Sequence, residues 1–285
     1  MKGFSVLMPT YNQSGFIKRA ILSLYQQTCS DWELIIINDG CTDETDKYIT
    51  GFLWDTRVTS IKNKVNRGIG FAINQGLTIA KYDYIAYLPS DDFYYDNHLQ
   101  LIMQKFEESE DIALVVSGIK FSNIYSCVSP DYYYSLQLIN GYPLQLVQTA
   151  HKKTNDRWVE REQLVSDDLF SLFWHKIMDK GIIAFVNQVT TNWTGHPHQR
   201  HKIIAENLKG GINYYRHYYQ VHYRMIFGNV KMEEAVIMLK LEMMDIENQI
   251  DAVFKDVYRN LNLYNGLAGA GLTLIDYFQK LNETV

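Results

Sequence analysis

Several absences narrow this chain before anything present in it is read. No apolar run approaches the roughly 20 residues that a membrane-spanning helix needs. The N-terminus MKGFSVLMPTYNQ meets Pro9 too soon to hold the apolar segment of a signal peptide. Cysteine is scarce, with Cys29, Cys41 and Cys127 an odd set of 3 lacking metal-ligand spacing, which fits reduced thiols in a cytoplasmic protein. Basic charge is not in excess: 27 Lys and Arg stand against 32 Asp and Glu, for a net charge of -5. Nucleic acid is therefore not expected as the main partner, and any anionic ligand must be held locally. What is present is an ordinary globular composition, 47% hydrophobic and 21% charged over 285 residues. That suffices for one large domain, or a domain with an appendage.

The first 120 residues repeat one rhythm. FSVLM, ELIII, RVTSI, YIAYL and IALVVS are short, nearly continuous apolar runs, and GFIKRAILSLYQQ, GFAINQGLTIA and HLQLIMQKFEE between them carry apolar residues at helical spacing. Continuous runs imply strands covered on both faces, so the expected fold is α/β, a mostly parallel central sheet with helices on both faces. In such sheets ligands sit outside the carboxyl ends of the strands. Polar residues fall there three times: Pro9-Thr10-Tyr11-Asn12, then Asn38-Asp39-Gly40, then Ser90-Asp91-Asp92. Each alone is ordinary turn or capping chemistry; three at one sheet edge point to a ligand site. The adjacent acids Asp91 and Asp92 repel each other and cost desolvation at the end of a buried strand, so a neutralising partner is expected.

The stretches SVLMPTYNQSGFIKRAILSLYQQTCSDWELIIINDGCTDET and NRGIGFAINQGLTIAKYDYIAYLPSDD resemble the family 2 glycosyltransferases, nucleotide-sugar-dependent enzymes of the GT-A fold. The resemblance resumes around residues 155 to 200. It implies that Pro9, Thr10, Tyr11 and Asn12 line a nucleotide pocket, and that Asp39 accepts a hydrogen bond from an imide N–H of the base. It places Asn66, Arg67, Asn74 and Asp91 on the nucleotide side and makes Asp92 the principal ligand of Mn2+ or Mg2+, hard ions suited to carboxylate and phosphate oxygens. Two positions depart from the pattern. Pro89 stands where many relatives carry an Asp, and Ile73 stands where many carry an Arg.

The resemblance extends to Ser166-Asp167-Asp168, similar to the acidic pair that opens a helix in this family. It implies Asp168 as the general base of an inverting displacement, with Asp167 as an alternative acceptor contact. The segment NWTGHPHQRHK brings His196 and His198 forward as further metal or diphosphate contacts. Trp158 is a candidate stacking surface for an acceptor sugar. The implied donor is a nucleotide-sugar, UDP-sugar first. The acceptor is left open among saccharide, lipid-linked sugar and peptide.

The domain reading is a catalytic domain over 1–205 and an all-helical C-terminal extension over 206–285. Met232, Val236, Leu239, Met243, Ile246, Ile250, Val253 and Val257 form a heptad seam in a helix at 231–260, which pairs within the chain or makes a homodimer. Tyr215, Tyr219, His222 and Ile226 share a helical face that either packs on the catalytic domain or touches a membrane interface. LYNGLAGAGL resembles, briefly, an early helix of lanthionine synthetase C-like proteins. Two other classes stand beside the enzyme reading. A sugar nucleotidyltransferase is disfavoured because no Gly-rich loop with a basic residue follows the first strand. An inactive scaffolding module is disfavoured because Asp92 and Asp168 are both kept.

Overall fold

A computed structural model describes residues 1–123, 132–134, 144–160, 169–196, 199, 226–227 and 230–231. In chain order the elements are β1 (Phe4–Thr10), α1 (Ile17–Tyr25), β2 (Trp32–Asn38), α2 (Thr45–Thr50), β3 (Val58–Lys62), α3 (Ile69–Ile79), β4 (Tyr84–Tyr87) and β5 (Phe93–Tyr94). Then come α4 (His98–Glu108), β6 (Ile112–Asn123), β7 (Tyr132–Tyr134), a 3-10 turn at Leu146–Gln148, β8 (Thr149–Lys152), α5 (Leu169–Met178) and β9 (Ile182–Gly195). The strands and helices expected over the first 120 residues are all found.

Two compact units emerge: residues 1–136, 144–157 and 176–196 in the first, and 137–143, 158–175 and 197–285 in the second. The first contains the nine-stranded sheet, ordered β3-β2-β1-β4-β8-β6-β9-β5, with β7 paired to β6. Every residue of β1 and β2 is buried, as strands covered on both faces must be. One face carries Phe4, Val6, Met8, Leu34 and Ile36 against Ile17, Ala20, Ile21 and Leu24 of α1 and Leu99, Ile102 and Phe106 of α4. The other face presents Leu7 and Ile37 to α3, where an added Cβ at Gly76 would lie 3.0 Å from both side chains. Each such buried aliphatic side chain contributes about 1.5–3 kcal/mol of transfer free energy.

The sheet is mixed rather than mostly parallel. Among the described residues β1 pairs parallel with β2 and β4, β2 with β3, and β6 with β9. Against these stand antiparallel pairings of β8 with β4 and β6, of β5 with β9, and of β7 with β6. A continuous apolar run reports burial on both faces and says nothing of strand direction. β8, wedged antiparallel between β4 and β6, is the four-residue stretch TAHK, too short and too polar to read as a strand.

In the second unit Trp158 stacks on Phe173 at 4.2 Å and meets Trp174 and Phe170 edge-on at 5.3 and 5.8 Å. Two short strands, Ile226–Phe227 and Val230–Lys231, pair antiparallel. They lie within the stretch expected to be helical from residue 206. The rest of the expected C-terminal helices, including the heptad seam, lies outside the described residues. No described helix is long and apolar enough to cross a membrane.

Candidate active site

The three polar strand ends converge through Thr10. Its side-chain Oγ1 accepts a hydrogen bond from Ser90 Oγ at 2.8 Å, and its carbonyl accepts the Asp39 N–H at 2.9 Å. Both Thr10 and Pro9 are buried, whereas Tyr11 is 45% exposed and presents its ring at the surface beside them. Asn12 adopts a left-handed backbone with φ of 54°. Its side-chain oxygen accepts the Thr42 N–H at 2.8 Å, and its own N–H donates to Cys41 Sγ at 3.2 Å. Asn12 thus couples the loop after β1 to the loop after β2. Gly40 makes that second turn with φ of +77°, and a Cβ there would meet the Val65 backbone at 2.5 Å.

Asp39 is 3% exposed and already engaged. Its Oδ1 accepts Asn63 Nδ2–H at 2.9 Å and the Arg67 N–H at 3.0 Å; its Oδ2 accepts the Gly68 N–H at 2.8 Å and shares the Arg67 N–H at 3.1 Å. A carboxylate offers about four lone-pair sites, so three donors leave about one for a ligand. Gly68, at φ of +94°, is what lets the chain turn its N–H back onto Asp39 before entering α3. Asn63 is itself held by reciprocal amide bonds with Gln75, at 2.9 and 3.0 Å.

The acid pair forms the second focus. Asp92 is 3% exposed, and its Oδ1 accepts the Thr194 N–H at 2.8 Å. Burial first, and then the neighbouring Asp91 charge, push its carboxyl well above the usual range; the Thr194 hydrogen bond and Arg19 pull the other way. Asp91 Oδ2 lies 3.0 Å from His196 Nε2. His196 is fully buried and stacks on Phe16 with ring centroids 4.4 Å apart. Folding thus joins residues 105 positions apart, Asp91 and His196, which the sequence offered as separate candidates. Arg19 supplies positive charge to both acids, while its own burial pulls its guanidinium below the usual value.

Other candidates are placed differently. The Arg67 guanidinium lies 3.7 Å over the Phe71 ring, so its contribution to Asp39 comes from the backbone. Asn66 is half-buried, and Asn74 is buried in α3, where its carbonyl accepts Thr78 Oγ1–H at 2.8 Å. Ile73 is fully buried and part of the core. Trp158 is 2% exposed inside its aromatic cluster. Among the described residues the ring packs this unit. Asp167, Asp168 and His198 lie outside the described residues.

Sequence reasoning missed Arg19, Thr194, Phe16 and Asn63. Arg19 reads as one position of a helical run, and Thr194 lies in NWTGHPHQRHK, where only the histidines were singled out. Only their long-range contacts give them meaning, so no local signal was there to find. Cys29 and Cys41 are free thiols.

With this geometry in hand, the chain can be set beside known proteins. The model of glycosyl transferase family 2 matches residues 5–180. The provisionally assigned colanic acid biosynthesis glycosyl transferase WcaA of Escherichia coli (strain K12) is 27% identical over 172 residues, covering 60% of this chain and 57% of that protein. The chondroitin synthase of Pasteurella multocida (strain Pm70) is 34% identical over 111 residues, 39% of this chain and 12% of that protein. The chain therefore spans little more than half of one relative and a small part of the other. Among solved structures, S. aureus TarS 1-349 in complex with UDP-GlcNAc aligns with a TM-score of 0.62 at 18% identity, covering 92% of this chain and 72% of that one. That likeness concerns the fold. The family match spans more than half of the chain and contains all three polar strand ends, and on that ground this protein belongs to glycosyl transferase family 2.

Proposed function

We propose that the protein transfers a sugar from a UDP-sugar to an acceptor hydroxyl by a cation-assisted, inverting displacement. The observation that carries this reading is the convergence of Thr10, Asp39 and the Asp91, Asp92 and His196 cluster at the carboxyl ends of β1, β2 and β4. A UDP donor is further supported by the UDP-GlcNAc bound to the TarS structure of similar fold. Thr10 and Tyr11 form the wall for the base, and Asp39 offers its remaining acceptor site to an imide N–H. Asn12, Asn66, Arg67 and Asn74 complete the surroundings of the nucleotide.

The donor set at the acid pair fits Mn2+ or Mg2+. Asp91 and Asp92 supply hard oxygens, and such ions are commonly held by one or two carboxylates plus substrate phosphates. Among the described residues no group of three or more His, Cys, Asp or Glu side chains could hold an ion alone. A bound cation would meet the negative charge that grows on the departing diphosphate. Asp168 takes the proton from the acceptor hydroxyl as general base, and Asp167 orients that hydroxyl. The acceptor is a saccharide, a lipid-linked sugar or a peptide.

The test is a calorimetric and thermal-shift titration of UDP, dTDP, GDP and CDP, each with and without Mn2+. A ligand that binds only the folded state at about 100 times its Kd adds about 2.7 kcal/mol of stability. UDP alone among the four, and only with Mn2+, is expected to raise the melting temperature. No response to any diphosphate would refute the donor assignment.

A further inference from the structure

Arg19 stands behind the acid pair, in no motif that singles it out. It rises from α1 as an exposed residue whose guanidinium turns onto the acid loop. One nitrogen, Nη2, donates to the Asp91 carbonyl at 2.6 Å and to Thr194 Oγ1 at 2.8 Å. Thr194 in turn gives its N–H to Asp92 Oδ1 at 2.8 Å and its hydroxyl proton to Asn192 Oδ1 at 3.3 Å. The guanidinium lies 4.8 Å from the Phe93 ring and 5.8 Å from the Phe16 ring, the same Phe16 that stacks on His196. One side chain therefore touches the acid loop, the end of β9 and the aromatic ring behind the imidazole.

We infer that Arg19 is a positioning residue for the proposed cation site: it fixes the Asp91–Asp92 loop against the end of β9, so that the two carboxylates are held in place, with His196 bonded to Asp91. Both of its hydrogen bonds go to neutral oxygens, a carbonyl and a hydroxyl, rather than to the carboxylates. The acids are thus aligned without being used up. Both bonds leave from Nη2, which stands one bond further from the backbone than a lysine Nζ and is held in a rigid plane, so a lysine ammonium at this position falls short of the two acceptors. The inference rests on the proposed function for its cation and on the geometry alone for its positioning role.

Charge and positioning predict opposite outcomes. A positive charge close to the acids repels an incoming cation, so if charge were all that mattered, removing it would tighten cation binding. If positioning dominates, removing it loosens the cluster and weakens binding. The full chain would be compared as wild type, Arg19→Lys, Arg19→Met and Thr194→Val, with Met chosen to keep the apolar packing on Phe93. The first readout needs no metal: hydrogen exchange at the Thr194 amide, whose acceptor is Asp92, should quicken about tenfold or more in Arg19→Lys and Arg19→Met. Amides of β1 should keep their protection. The second is the Mn2+ concentration giving half-maximal UDP binding, which should rise about tenfold or more in both Arg19 variants. Thr194→Val, which keeps the N–H to Asp92, should move it in the same direction by less. A merely structural loss would lower the melting temperature without moving the Mn2+ requirement. Tighter Mn2+ dependence in Arg19→Met, or wild-type behaviour in Arg19→Lys, would overturn the inference. If the wild type shows no Mn2+-dependent UDP binding, the proposed function fails, and the Thr194 amide alone decides: unchanged exchange overturns the positioning role, and accelerated exchange upholds it.

Discussion

Replacing Asp39 by Asn tests whether this carboxylate holds the loop between β3 and α3. It accepts N–H groups from Asn63, Arg67 and Gly68 at 2.8 to 3.1 Å. Asparagine keeps the shape but turns one oxygen into an NH2 donor. Whichever way the amide turns, its NH2 faces a backbone or side-chain N–H. Hydrogen bonds to charged groups contribute about 1.5–3 kcal/mol net, and an unsatisfied buried donor costs about 1–3 kcal/mol. Arg67 is exposed and Gly68 half-exposed, so water recovers part of the loss. A net destabilisation of about 1–3 kcal/mol is expected, and at roughly 2–4 °C per kcal/mol for a chain of this size the melting temperature should fall by several degrees. Asn63→Ala is the comparison, because it removes one side-chain donor and leaves both backbone donors satisfied; it should cost less. Thermal melts of the two variants, with hydrogen exchange at the Arg67 and Gly68 amides, decide the matter. An Asp39→Asn protein that melts with the wild type and keeps both amides protected would falsify the argument that Asp39 organises this loop.

Three further outcomes follow from the same reasoning. Asp92→Asn should raise the melting temperature while abolishing Mn2+-dependent UDP binding, because the native carboxyl is buried beside Asp91 and its pKa is raised. The wild type should accordingly lose stability relative to this variant as pH rises above the ordinary carboxylate value and through the raised one; parallel melting curves at every pH would contradict it. Asp55 behaves in the opposite sense: the Arg57 side chain bonded to it lowers its carboxyl to about 2. Its stabilisation is present above the ordinary value and lost as pH falls toward about 2; denaturation of wild type and Asp55→Asn across acid pH measures this, and an identical acid limb would count against the pair. Trp158→Ala should cost about 3–5 kcal/mol as a cavity in an aromatic cluster, whereas Trp158→Phe should leave the acceptor KM unchanged in a transfer assay. A raised KM with unaltered stability would favour an acceptor role for this ring over packing alone.

Much of the catalytic unit was legible along the chain. Short apolar runs such as ELIII implied strands buried on both faces, and apolar positions at helical spacing implied the helices that cover them. Those two periodicities fixed the strand ends, and with them the positions of Thr10, Asp39, Asp91 and Asp92, since a side chain at the carboxyl end of a covered strand has one edge to go to. Strand direction beyond β4 was not legible. Nor was the burial of Trp158, for a lone aromatic looks the same to a local pattern whether its neighbours arrive from the core or from solvent.

The pairings that turn separate residues into a site belong to the tertiary structure. His196 meets Asp91 across 105 positions and Arg19 meets Thr194 across 175, separations that no local periodicity encodes. The chain by itself determined which polar groups stand at the edge of the sheet, because burial pattern is a local property of sequence. Which of them touch, which acid is driven up in pKa and which arginine aligns it were decided only by packing, because desolvation and hydrogen-bond geometry depend on segments brought together by the fold.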